Sequence, residues 1–93
     1  MDTVTLDGHD LDAVTFPTQN TKILVIRAPK GMLGCGYVSV DTAAKVGDAL
    51  AIVSGVASYD DMLDAVVKAV SPAAEALGVR SGMTGRDALR KLL

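Results

Sequence analysis

Apolar and polar residues alternate along TVTLDGHDLDAVTF, residues 3–16, around a single turn signal. Asp7-Gly8 favours a two-residue hairpin turn, because such turns need backbone conformations with positive φ. This turn would place Leu6 opposite His9 and set the register of the hairpin. Side chains alternate between the faces of a strand, so an apolar and a polar face are expected. The apolar group is Val4, Leu6, Leu11 and Ala13, and the polar group is Thr3, Thr5, Asp10 and Asp12.

The middle of the chain changes from alternating to mixed patterning. KILVIRA, residues 22–28, is apolar on both faces, which is typical of an interior strand. A turn leads into MLGCGYVSV, whose glycines indicate a weakened strand or a strand with a bulge. Asp41 can then cap a short helix over residues 42–46 that ends at Gly47. ALAIVSG, residues 49–55, indicates a second interior strand.

The remaining residues carry the start and stop signals of three helices. Ser58 with Asp61 forms a capping box, and residues 84–87 repeat it. Between these two capped helices, a third helix begins at Pro72 and ends at Gly78. The segment before it, AVVKAV at residues 65–70, can be a strand. The closing helix has an apolar stripe of Ala88, Leu89, Leu92 and Leu93.

These elements predict one small α+β domain over residues 1–93. N-terminal antiparallel strands are followed by a β-α-β-α-β-α-α half, which gives a mixed sheet with the helices on one face. A chain of 93 residues leaves no room for a second domain.

The composition predicts a homo-oligomer. Hydrophobic residues make up 49% of the chain and charged residues 22%, with a mean hydropathy of +0.35. A small chain with more apolar side chains than one core needs is expected to bury the excess against copies of itself. The N-terminal strands are the expected assembly surface.

The charge and the cysteine content limit which binding partners and which cellular compartment are expected. The net charge is −2 and no basic block is present, which argues against nucleic-acid binding. The apolar runs are too short to span a membrane, and the first residues do not form a signal peptide. One cysteine permits no internal disulfide, which fits a reducing compartment. A cytoplasmic protein is therefore expected.

The main candidate site is the segment Gly34-Cys35-Gly36-Tyr37. A catalytic cysteine needs a base or positive surroundings, and the only histidine is His9 in the N-terminal hairpin. Glycines beside Cys35 would allow close approach by a helix, another backbone or a ligand. Three interpretations follow: a small buried residue, a ligand-lining residue, or a nucleophile. The first is favoured, because free cysteine is among the most buried residue types.

A second candidate is the segment Gly82–Arg86. Thr84 and Arg86 could hold an anion at a helix start, with a hydroxyl, free amides and a guanidinium. Asp87 would repel an anion there, so helix capping is the favoured interpretation.

The sequence predicts no cofactor and no metal. The glycines lack the dinucleotide fingerprint and are not followed by Gly-Lys-Ser/Thr. The carboxylates show no metal-ligand spacing, and only a subunit interface could combine His9, Cys35 and Asp41 of different copies.

Three segments carry a resemblance to a known family: LGCGY at 33–37, GDA at 47–49 and GMTGR at 82–86. With these motifs the chain resembles the YunC-like family of bacterial and archaeal proteins, a domain of unknown function. The likeness covers nearly the whole chain. It implies a compact domain whose N-terminal β-sheet region mediates tetramer formation, and it implies no activity.

Three functions remain open from the sequence. The first is a small-molecule-binding or regulatory oligomer with a pocket near residues 34–37. The second is an enzyme that uses Cys35 or a site completed at a subunit interface. The third is a structural or adaptor subunit.

Overall fold

A computed structural model describes residues 1–93 as six strands and four helices. The strands are β1 (Asp2–Leu6), β2 (His9–Pro17), β3 (Lys22–Ala28), β4 (Gly31–Gly34), β5 (Leu50–Ile52) and β6 (Ala69–Val70). The helices are α1 (Val40–Val46), α2 (Tyr59–Asp64), α3 (Pro72–Ala76) and α4 (Gly85–Lys91). None of the helices combines the length and apolar character needed to cross a membrane.

The six strands form one mixed sheet in the order β1-β2-β3-β4-β5-β6. All neighbours are antiparallel except β4 and β5, which run parallel. A parallel pair needs a crossover connection, and α1 supplies it. The predicted α+β class with a mixed sheet is confirmed.

The N-terminal hairpin has the predicted register, with Leu6 opposite His9. Asp7 and Gly8 both have positive φ, 52° and 79°, as a two-residue hairpin turn requires. The predicted apolar residues of this hairpin are all buried: Val4, Leu6, Leu11 and Ala13.

The main core lies between one face of the sheet, here called the inner face, and three helices. The inner face includes Leu24, Ile26 and Leu33, and it packs with side chains of α2, α3 and α4 such as Met62, Ala74 and Leu89. The prediction that the helices lie on one face therefore holds for these three.

Helix α1 is the exception, because it packs on the opposite, outer face. Ala43 of this helix contacts Leu50 and Ile52 of β5 in a second, smaller cluster. The crossover between β4 and β5 therefore covers only that end of the outer face.

The outer face of the antiparallel strands is polar only near the hairpin turn. Farther along, Val14 pairs with Val25 and Phe16 pairs with Ile23. Phe16 is 65% exposed and Val14 is 41% exposed, while Ile23 and Val25 are half-buried. The strand predicted as interior, β3, therefore has only its inner face fully covered within one chain.

Four local boundaries differ from the prediction. The strand expected over residues 32–40 ends at Gly34, because the chain turns where the Val38 amide donates to the Cys35 carbonyl. The strand expected over residues 49–55 contains only Leu50–Ile52. Helix α1 begins at Val40 because Ser39, rather than Asp41, accepts the capping hydrogen bond, from the Thr42 amide. The strand expected over residues 65–70 contains only Ala69–Val70. Val67 instead exchanges backbone hydrogen bonds with residues 82–83 ahead of α4.

Candidate functional site

The largest cleft in the chain has a volume of about 490 Å³. It lies beyond the carboxyl ends of β4 and β5, between the loop before α1 and the loop before α2. The space outside the carboxyl ends of parallel strands is where α/β sheets commonly bind ligands. The lining residues are Thr21, Lys22, Cys35, Gly36, Tyr37, Ser54, Gly55, Val56 and Ala57.

Backbone contacts hold the two loops of the cleft side by side. The Val53 amide donates to the Gly34 carbonyl, which extends the parallel pairing one step beyond the strands. The Val38 amide then donates to the Cys35 carbonyl and turns the first loop away from the sheet. The cleft opens where these two chain segments diverge.

Cys35 forms part of the cleft wall but has little solvent contact. Its side chain is buried, with 4% exposure, and its amide donates to the Leu24 carbonyl at 3.0 Å. The Leu24 amide donates to the Cys35 Sγ at 3.3 Å. No side-chain base is hydrogen-bonded to the sulfur. Cys35 therefore has the environment of a core residue that also borders the cleft.

The two glycines beside Cys35 have different structural reasons. A Cβ on Gly34 would lie 3.0 Å from two side-chain carbon atoms of Val38, so any other residue there would push Val38 out of its place by a few tenths of an ångström. A Cβ on Gly36 would meet nothing closer than the Ser54 Cβ at 3.7 Å, an ordinary contact. Packing against Val38 therefore explains the glycine at position 34. Packing does not explain the glycine at position 36, where the absence of a side chain leaves the cleft open.

Tyr37 and Lys22 lie at the mouth of the cleft. Tyr37 is 59% exposed, and its ring provides a surface against which a ligand could stack. The Lys22 Nζ donates to the Ala57 carbonyl at 3.3 Å and forms no ion pair. This ammonium is the only charged group in the lining.

Tyr59 anchors the start of α2 beside the cleft, a role that the sequence analysis did not find. Its hydroxyl donates to Asp2 Oδ2 at 2.6 Å and accepts from Thr15 Oγ1 at 2.9 Å. Desolvation and the Asp2 carboxylate raise the pKa of the Tyr59 hydroxyl. These three residues are far apart in the sequence, so no local pattern predicts that they are in contact.

Thr84 and Arg86, the second pair of candidates, do not line the cleft. Thr84 Oγ1 accepts the Asp87 amide and caps α4. Arg86 forms an ion pair of 3.2 Å with Asp64 of α2. Between them, a Cβ on Gly85 would lie only 2.0 Å from the Met62 carbonyl oxygen, so this segment is where α4 meets α2.

The residues considered for a metal site at a subunit interface lie apart within one chain. His9 follows the hairpin turn, Asp41 lies in the first turn of α1, and Cys35 borders the cleft. No three histidine, cysteine or carboxylate side chains of the chain are grouped as metal ligands.

Three comparisons place the chain among known proteins. Residues 34–92 match the model of a domain of unknown function, DUF1805. The chain is 32% identical to the uncharacterized protein YunC of Bacillus subtilis, over 97% of this chain and 93% of that protein. The structure is similar to the crystal structure of TA1206, a protein of unknown function from Thermoplasma acidophilum. The TM-score is 0.93 and the identity 34%, over 99% of this chain and 90% of the other.

Proposed function

The chain belongs to the DUF1805 family of domains of unknown function, and we propose from its geometry that it is a small-molecule-binding protein with a regulatory role. The binding site is the cleft at the carboxyl ends of β4 and β5, with Cys35, Gly36 and Tyr37 in its wall. The functional unit is a cytoplasmic homo-oligomer, assembled as a tetramer through the N-terminal strands.

The observation that carries this proposal is the cleft itself. Its volume of about 490 Å³ lies within the usual range of small-molecule pockets, roughly 300–1,000 Å³. Its wall combines apolar surface from Val56 and Ala57 with polar groups from Lys22 and Ser54. Such a mixture suits a ligand that is partly apolar and oriented by a few polar contacts.

The outer face of the sheet supports the oligomer part of the proposal. Phe16 and Val14 are exposed there beside the half-buried Ile23 and Val25, so the apolar patch is contiguous across β2 and β3. A second copy of the chain could cover this patch by packing sheet against sheet.

The binding hypothesis has better support than catalysis by Cys35. A nucleophilic thiol needs an adjacent base, but Cys35 Sγ is hydrogen-bonded only to the Leu24 amide. The one basic lining group, Lys22, is bonded to the Ala57 carbonyl. The adaptor hypothesis would use the same exposed apolar patch, which this proposal assigns to self-association.

Native mass spectrometry of gently purified protein tests both parts of the proposal. We expect an oligomer that retains a defined small molecule. In Gly36→Leu the added side chain would occupy the cleft, so the retained mass should be lost. Ala44→Leu, at an exposed position of α1, adds bulk elsewhere and should keep it. Retention of the same mass by Gly36→Leu would show that the molecule binds outside the cleft.

The oligomer part is tested by Phe16→Asp on the outer face. A buried charge at an apolar interface is costly, so this variant should dissociate to monomers in analytical ultracentrifugation. Val66→Asp is the matched control, because Val66 is also exposed, at 53%, but lies away from this face. If the wild-type protein is a monomer at the concentration of the experiment, the proposed oligomer is wrong, whatever the cleft binds.

A further inference from the structure

We infer that the ligand of this cleft is a small organic anion, held through a phosphate or carboxylate group. The inference rests on the proposed function, because it assigns a chemical class to the ligand of the same cleft. It is supported by the balance of donors, charges and apolar surface among the lining residues.

Five backbone amides in the two loops of the cleft have no hydrogen-bond partner within the chain. The amides of the flanking residues Cys35, Val53 and Ala57 all have partners within the chain. The amides between them take part in none of the chain's hydrogen bonds: Gly36, Tyr37, Ser54, Gly55 and Val56. An oxyanion is the ligand group that can accept several N–H donors at once.

The charge of the lining has the sign that an anion needs. Lys22 is the only charged side chain of the nine lining residues, and none is an aspartate or glutamate. The whole chain carries a net charge of −2, so the cleft is a local exception. The ion pairs of the chain all use arginine, and Lys22 is left without a carboxylate partner. The Asp61 carboxylate accepts the amide of the lining residue Ala57 at 3.0 Å but is not itself one of the lining residues.

The remaining wall indicates that the anion is organic. Val56, Ala57 and the Tyr37 ring supply apolar surface next to the donors. A bare inorganic ion would leave this surface in contact with water and most of the 490 Å³ unfilled. A molecule with one anionic end and a short apolar body uses both parts of the wall.

A set of matched aromatic probes separates the classes of ligand. The four probes share a similar aromatic ring and differ in the attached group. Phenyl phosphate carries a phosphate, benzoate a carboxylate, benzyl alcohol a neutral hydroxyl and benzylamine a cationic amine. Titration of each probe is followed by amide chemical shifts in ¹⁵N NMR at constant ionic strength. We expect the amides of residues 36–37 and 54–56 to shift with an anionic probe and not with the alcohol or the amine. Comparison of phenyl phosphate with benzoate identifies which anionic group is preferred.

The Lys22 side chain provides the second test. Lys22→Gln removes the charge and keeps a hydrogen-bond donor, so the dissociation constant of the anionic probe should rise about tenfold or more. Lys68→Gln removes an exposed lysine that does not line the cleft, and it should change the constant less than about twofold.

The outcomes distinguish this inference from the proposed function. If the alcohol or the amine shifts the cleft amides as much as the anions do, the ligand class is not an anion. The proposed function would still hold, because the cleft would still bind a small molecule. Equal affinities in Lys22→Gln and Lys68→Gln would also overturn the anion class. If no probe moves any cleft amide, and native protein retains no small molecule, then both the inference and the proposed function fail.

Discussion

Gly34–Tyr37 and Gly82–Arg86 look alike in sequence, since each has two glycines spaced around a polar or reactive residue. The first segment lies shortly before α1, and the second includes the start of α4. In the structure they differ. Within Gly82–Arg86 only Gly85 is closely packed, against the Met62 carbonyl, while Thr84 caps α4. Gly82 has open space around it and a φ of 96°, so its backbone conformation rather than packing favours glycine. Gly34–Tyr37 is filled on one side only, because Val38 packs on Gly34 while Gly36 faces open space near Ser54. A glycine in such a motif therefore marks a close approach, a left-handed backbone or an open surface, and only the tertiary structure decides which.

The strongest test of this contrast is Gly85→Ala. The new Cβ would collide with the Met62 backbone, which cannot move without separating α2 from α4. We expect the free energy of unfolding to fall by about 3 kcal/mol or more. Urea denaturation followed by circular dichroism measures it. A loss below about 1 kcal/mol would mean that the two helices are not held at this distance.

Gly34→Ala should have the next largest effect. Its Cβ would lie 3.0 Å from Val38, a side chain that can shift by a few tenths of an ångström. The expected loss of unfolding free energy is about 1–2 kcal/mol.

Gly36→Ala is the matched control for Gly34→Ala, because Gly36 lies two residues away in the same motif. Its Cβ has room at 3.7 Å from Ser54, so stability should change by less than about 0.5 kcal/mol. The same denaturation curves measure both variants. Equal losses at the two positions would remove the distinction between a packed and an open glycine.

Thr84→Ala should cost about 1 kcal/mol, the usual value of a lost helix cap. Thr84 Oγ1 accepts the Asp87 amide at 3.1 Å, and alanine leaves that amide without a side-chain partner. Thr84→Ser keeps the hydroxyl and should be close to wild type by thermal denaturation. The cleft should be unaffected, so probe binding that is weakened in Thr84→Ala but kept in Thr84→Ser would contradict a purely structural role.

Part of the candidate site was predictable from the sequence. The segment Gly34–Tyr37 was predicted as the place where a site would lie; Cys35, Gly36 and Tyr37 line the largest cleft, and Gly34 does not. The opposing loop, Ser54 to Ala57, was missed, because it carries no charged or reactive side chain that would mark it. Lys22 was missed for another reason. It begins a strand that the pattern describes well, and nothing local shows that its ammonium reaches Ala57.

The fold was predictable wherever an interaction is completed within a few residues. Asp7-Gly8 dictates the hairpin register through backbone conformation, and Thr84 with Asp87 marks the start of α4 through a local hydrogen bond. The strand expected over residues 65–70 was wrong in extent, because Val67 pairs with the distant residues 82–83. Alternation alone cannot reveal which segment a short apolar run will pair with.

The sequence by itself determined the hairpin with its buried stripe, the starts of α2, α3 and α4, and the α+β class. These depend on backbone conformation, capping and side-chain alternation, all of which act over a few neighbouring residues. Only the tertiary structure decided that α1 lies on the outer face, that Phe16 is left exposed, and that the loops after β4 and β5 enclose a cleft. The place of α1 and the cleft follow from the parallel pairing of two strands that a helix separates in sequence, and that pairing depends on long-range packing. Phe16 is exposed because α1 covers only the β5 end of the outer face.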